Sequence, residues 1–329
     1  MLGLSWILFF YLQRFVHSSF VPFTSTNKLP LPPLTFGPDS LAFDARGQGP
    51  YTGVGDGRIL KYQDSVVGFV EFATTSPFRT NELCRGTNFI LAATCGRPLG
   101  LGFNYLSGDL YVVDANFGFL VVPPNGGLAT QLAKAVDGVP FGILDALDID
   151  QTTQIVYFTD LGLGGILRLG LGNITQILQS KDNSGKLFKY DPKTRQFELL
   201  LSGLSVPGGV AVSEDGSYLL ITELIAFRVR KFWLKGPKAN SVEVLIKVDG
   251  LPDNIKRTSR GDFWVAVNGV KGLTLAPMGL KINGITGDVI ESRDLGIQYV
   301  NVPVSEVQEF MAELFTGSPT QSFVGKYGI

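Results

Sequence analysis

Histidine is almost missing from this chain: the 329 residues contain one, His17, inside an N-terminal apolar segment. A histidine-based triad or a histidine-rich metal centre therefore has no material in the body of the sequence. Cysteine is nearly as scarce, with Cys84 and Cys95 alone. Two thiolates do not make a zinc site by themselves. With polar residues and Gly86 between them, they read as a loop-closing disulfide in an oxidising compartment or as two free thiols in a reducing one. Charge is thin as well, at 17% of residues with a net charge of −1. No Lys/Arg run stands out, which argues against a nucleic-acid partner. Neither a G-x-S-x-G elbow nor a G-x-x-x-x-G-K-[ST] loop is present, which disfavours a serine esterase of that type and a nucleotide phosphate site. The Gly-rich stretch 161–173 lacks the strand–turn–helix setting of a dinucleotide site and reads as a blade-connecting loop over a channel mouth.

Long apolar runs are also lacking, except at the start. "MLGLSWILFFYL", followed by Arg14, is too short to span a bilayer. It reads as the apolar core of a signal peptide over residues 1–20, although the leading positive charge is missing; the alternative is a buried N-terminal strand. The sequon Asn173-Ile174-Thr175 is a candidate glycosylation site and fits the secretory route.

What the chain does have is glycine and apolar residues: 40 glycines against three methionines, with 45% hydrophobic content. That favours many tight turns around a substantial core over helix bundles. "ALDIDQTTQIVYFTD" (146–160) reads as two strands around a polar turn, the second ending in a carboxylate. A lone hairpin is unstable in water. The pattern recurs from Ser40, Pro98 and Pro207, more weakly from Pro252, and in degenerate form from Val304. Six copies at this spacing, each with further strand material, predict an all-β six-bladed β-propeller with four-stranded blades over residues 30–329. A pair of β-sandwiches would need a linker, and no long Pro/Ser-rich or charged spacer separates the copies. "PLPPLTFGP" (30–38) reads as the lead-in, and "GGLATQLAKAV" (126–136) as the best helix candidate.

In such a propeller the starts of the innermost strands ring one mouth of the central channel, where sites are usually built. The register places Asp39, Leu99, Asp145, Gly208, Asp253 with Asn254, and Ser305 in that ring. A slip of one residue would exchange the faces.

The segments "CGRPLGLGFN", "GGLATQLAKAVDGVPF", "VYFTD", "GKLFKYDP", "VPGGVAVSEDGS", "FWLKGPK" and "PDNIKR" resemble the plant strictosidine-synthase-like family, six-bladed propellers related to calcium-dependent lactonases and paraoxonases. The resemblance implies that Cys84 and Cys95 pair, and that the protein enters the secretory pathway, with the vacuole as destination and the extracellular space or endoplasmic reticulum lumen as alternatives. True strictosidine synthases condense tryptamine with secologanin, using a glutamate at the start of the last blade to handle the amine proton. Here Ser305 stands at that place, and a serine hydroxyl takes no amine proton near neutral pH without a base. Glu306 is adjacent, but strand alternation points it to the other face. Glu309 matches a non-catalytic glutamate of the motif.

Three readings follow. The first is hydrolase-like chemistry on a small ester or lactone. By resemblance, Asp39, Asp145, Asp253 and Asn254 would hold Ca²⁺, although Gly208 replaces an asparagine ligand of those relatives. The plainer role of these aspartates is to cap turns. The second is a residual amine–aldehyde condensation of the kind used in alkaloid biosynthesis, with Glu223 or Asp114 as acid; their plainer role is to bond turn amides. The third is a non-catalytic propeller that binds a small-molecule ligand, with Phe117, Phe119 and Phe141 along the mouth, unless these are core. A monomer with no membrane span and no nucleic-acid partner is expected throughout.

Overall fold

In most of the repeated hairpins a side chain closes the turn. Asp44 Oδ1 accepts the amides of Arg46 and Gln48, and Asn104 Oδ1 those of Leu106 and Ser107. Asp150 Oδ1 accepts Thr152 and Thr153, and Ser213 Oγ accepts Ser217 and Tyr218. These short polar residues offer the backbone a local partner where the ladder stops. On either side, β-branched and aromatic residues form the strands. In the computed structural model the described residues are 21–87, 91–162, 174–271 and 274–329. The expected leader with His17, the Asn173 sequon and most of the 161–173 stretch lie outside them.

The hairpins grow into six antiparallel sheets, one per repeat. Their inner strands are Leu41–Ala42, Pro98–Phe103, Leu144–Ile149, Gly209–Val212, Leu251–Arg257 and Glu306–Phe310. Each start lies within two residues of the repeat start read from the sequence. Blades 2 to 5 have four strands; blade 1 gains a fifth, parallel edge strand from Gly127–Leu128. Blade 6 is closed by the N-terminal strand Ser25–Pro30, which pairs along its whole length with Phe323–Gly328. The propeller thus begins at Ser25, ahead of the expected boundary at 30, and the degenerate last repeat closes because a strand from the other end of the chain completes it.

Six apolar clusters lie at the six seams. Tyr51 and Ile59 of blade 1 meet Leu101 and Leu110 of blade 2, and the ring continues through Phe119 with Phe158, Leu187 with Leu219, Leu220 with Val265, and Trp264 with Leu314. It returns through Phe315 against Leu60. Middle strands such as Val156–Asp160 are buried along their whole length because each blade is covered on both faces. Burying a side chain of the size of Leu or Phe stabilises by about 1.5–3 kcal/mol, so closure of the ring accounts for much of the stability.

One expected element differs. Residues 126–136 are edge strands: Gly127–Leu128 extends blade 1, Thr130–Ala133 is the outer strand of blade 2, and Ala135–Val136 pairs with Val139–Pro140. Helix-forming Ala, Leu, Gln and Lys give way to two exposed sheet edges that need partners. The described helices are short: Asn81–Cys84, Ala92–Cys95 and Ile174–Ser180. The first two carry the disulfide Cys84–Cys95, with the Cα atoms 5.7 Å apart.

Candidate functional site

Three inner strands carry an extra residue near their start. The register shifts between Pro98 and Gly100, between Leu144 and Leu147, and between Pro252 and Ile255. These bulges fall on Leu99, on Asp145-Ala146 and on Asp253-Asn254, positions the sequence placed at the mouth. A bulge re-aims side chains and leaves backbone unpaired, a device frequent beside functional sites. Two further residues at this mouth have left-handed backbone, Val206 with φ 54° and Phe227 with φ 52°. For a β-branched residue such as Val206 this is a strained conformation.

The mouth has two characters. Leu99, Ile143, Leu161, Val206, Leu224 and Leu251 form a buried apolar cluster, against which Leu178 and Phe227 pack. Leu99 is thus part of an apolar plug rather than of a polar rim. Across from it lies a polar sector. Asp39 is buried, its Oδ1 lies 3.6 Å from the Arg97 guanidinium, and its Oδ2 has no hydrogen-bond partner. Asn254 is 2% exposed, and neither amide heteroatom of its side chain has a partner. Leaving such a group dry and unpaired costs about 1–3 kcal/mol, so Asn254 marks a place for water or a ligand. Ser305 Oγ donates to the Asp39 carbonyl at 2.5 Å, which ties blade 6 to blade 1. Gly208 lies against Asp253: a Cβ there would sit 2.9 Å from Asp253 Oδ1, so a larger residue would move that carboxylate.

Asp39 and Asn254 offer oxygens to a cation, but the set is short of the six to eight oxygens calcium takes. Among the described residues no group of three or more His, Cys, Asp or Glu could hold a metal. Asp39 already faces a guanidinium, and position 208 supplies no side chain.

Glu223 and Asp114 have the plainer role. Asp114 accepts Thr75 Oγ1 at 2.7 Å, Arg97 N at 2.8 Å, Asn116 N at 2.8 Å and Phe117 N at 3.0 Å. Burial pushes its pKa up, against these donors. Glu223 accepts Ser205 N and pairs with Arg228 and Arg230. Asp160 accepts Gly142 N and Gly162 N. In blades 2, 3 and 4 the carboxylate that ends the hairpin is a clasp on the lead-in to the inner strand. Phe117, Phe119 and Phe141 sit in the seam cores rather than along the mouth.

Sequence reasoning missed a second polar group, deeper on the axis. Glu306 is fully buried; it accepts Leu41 N of blade 1 at 2.8 Å and lies 3.4 Å from Lys256 Nζ of blade 5. A group of blade 6 within reach of both neighbours points to the axis, so simple alternation does not turn it away. Burial pushes its pKa up, opposed first by Lys256. Asp148 accepts Val212 N and Ile149 N at 2.8 and 2.9 Å, and burial pushes it up too. At the opposite mouth, where the inner strands end, a cavity of about 140 Å³ is lined by residues of blades 1, 2, 3, 5 and 6, among them Asp148, Lys256, Arg257 and Gln308. The signal was present in "LDID", "DNIKR" and "SEVQE", but only as charged residues on inner strands. Glu309, further along, holds Trp264 Nε1 and Lys281 Nζ at 3.0 Å each.

Comparison with known proteins agrees with this architecture. Residues 145–237 match the family model described as Strictosidine synthase. Protein STRICTOSIDINE SYNTHASE-LIKE 12 of Arabidopsis thaliana is 43% identical over 92% of this chain and 89% of its own. Strictosidine synthase of Catharanthus roseus is 38% identical over 88% of this chain and 83% of its own. Among solved structures, a gluconolactonase of Xanthomonas campestris superposes with TM-score 0.64 at 14% identity, over 93% of this chain and 90% of that one. The calcium-binding protein regucalcin of Agrobacterium tumefaciens gives 0.62 at 11%, over 95% and 96%. At such identities the last two show the fold alone.

Proposed function

Because this chain belongs to the strictosidine-synthase-like family yet carries Ser305 at the place of the amine-handling glutamate, we propose that it makes no strictosidine and acts as a hydrolase-like protein on a small ester or lactone. The site is the mouth where the inner strands begin. The observation that carries this reading is Asn254, buried with both amide heteroatoms unpaired. Its N–H donates to a substrate carbonyl, while Asp39 Oδ2 accepts from a hydroxyl or an attacking water. The buried apolar cluster around Leu99 and Leu224 borders the site and excludes water from that side. The gluconolactonase likeness is support at the level of the fold.

Binding without turnover is the second reading, favoured by the bond that ties Ser305 Oγ to the Asp39 carbonyl. No step is routed through calcium, for which Asp39, Asp145, Asp253 and Asn254 are the candidate ligands; calorimetric titration of metal-stripped protein checks for it directly. The disulfide fits an oxidising compartment. A vacuolar monomer, glycosylated at Asn173, is the finer form of the proposal. No helix among the described residues is long and apolar enough to cross a membrane.

The test is a panel of small lactones followed by pH-stat, with thermal shift for binding, on the native protein and Asn254→Ala. Turnover that falls about tenfold or more in the variant is expected from the loss of a buried hydrogen bond. Stabilisation without product selects the binding reading. Neither product nor shift, with or without calcium, removes both. Strictosidine formed from tryptamine and secologanin would overturn the first clause.

A further inference from the structure

The opposite mouth carries polar groups that the proposed reaction does not use. Lys256 is engaged by Glu306 at 3.4 Å, and both oxygens of Asp148 accept backbone amides. Arg257 is different. Its side chain makes no hydrogen bond or ion pair among the described residues, and its Nε is buried without a partner. It lies close enough to bear electrostatically on Asp148 and Tyr105 without touching either as an ion pair. On the inner strand of the next blade, Gln308 Oε1 is likewise buried without a partner. Leu41, Phe43 and Phe103 add an apolar patch to a lining whose accessible surface is otherwise mostly polar. An unpaired guanidinium, an unpaired acceptor and this apolar patch line a small, half-open space of about 140 Å³.

We infer that this mouth is a second, independent binding site, and that its ligand is a small hydroxy monocarboxylic acid. The carboxylate takes the guanidinium fork of Arg257, which matches it in plane and spacing. The hydroxyl donates to Gln308 Oε1, and a short carbon chain lies on the apolar patch. A dianion such as phosphate is disfavoured, because Arg257 alone is left to neutralise it, Lys256 being paired with Glu306.

The experiment titrates 3-hydroxybutyrate into the full chain, followed by ligand-observed NMR, with butyrate and inorganic phosphate as comparators. Saturable binding in the millimolar range is expected, stronger than for butyrate and for phosphate. Arg257→Gln weakens it about tenfold or more, as loss of a charge-assisted bond does. Gln308→Leu abolishes the preference over butyrate. Arg257→Lys, which keeps the charge and loses the fork, weakens binding and serves if Arg257→Gln does not fold. No saturable binding to the native protein overturns the site. So does binding unchanged in the arginine variants, or phosphate bound as tightly as the hydroxy acid. Asn254→Ala separates the two mouths: it removes lactone recognition at one and leaves 3-hydroxybutyrate binding at the other.

Discussion

Asp114, Asp160 and Glu223, at the ends of second strands, commit every carboxylate oxygen to amides, a hydroxyl or arginines. Along the axis, Asp39, Asn254, Glu306 and Gln308 each keep an atom without a hydrogen-bond partner. Both groups are buried or nearly so, and both come from the repeated hairpin. The difference separates the jobs: a saturated buried acid holds backbone in place, whereas an unsaturated polar atom implies water or a ligand.

The comparison is broken most severely by removing a clasp. Asp114→Ala strands four donors and is expected to cost about 3–5 kcal/mol, as breaking a buried charged network does; urea unfolding measures it. A loss below about 1 kcal/mol would show that the clasps are not what holds the strand lead-ins.

The next effect is on pH dependence. Burial raises Glu306 above its ordinary 4.5. Between that value and the raised one the folded state holds a proton that the unfolded state releases, so stability is full below the window and falls as pH rises through it. Asp148 contributes with the same sign. Glu306→Gln is expected to make this decline shallower in urea unfolding run across the acid range. An unchanged slope would mean that Lys256 holds the carboxylate ionised throughout.

The smallest effect on stability is expected at Asn254. Its side chain makes no bond to lose, so Asn254→Ala should change the unfolding free energy by about 1 kcal/mol or less, while lactone recognition falls. If the variant loses stability as Asp114→Ala does, the division between the two groups is wrong.

Much of the fold was legible in the residues. Strand composition and the turn-closing Asp44, Asn104, Asp150 and Ser213 act within a few positions, and six copies left a propeller as the natural arrangement. Cys84 and Cys95 paired as the family resemblance implied. The candidate site was legible only in part. Asp39 and Asn254 are at the axial mouth with their unpaired atoms, but Leu99 joined an apolar plug, and the hairpin-ending acids proved to be clasps. The stretch 126–136 reads locally as helix, and nothing local reveals that two sheet edges await it.

The sequence by itself determined the repeated hairpin and where its inner strands start, because side-chain type and spacing act locally. Only the tertiary structure decided the rest. Bulges at Leu99, Asp145 and Asp253 set which side chains face the axis. A strand from residues 25–30 closes blade 6. Glu306 meets Lys256 and Leu41 across three blades. Each depends on how strands pair or blades pack, which residue type and spacing alone do not specify.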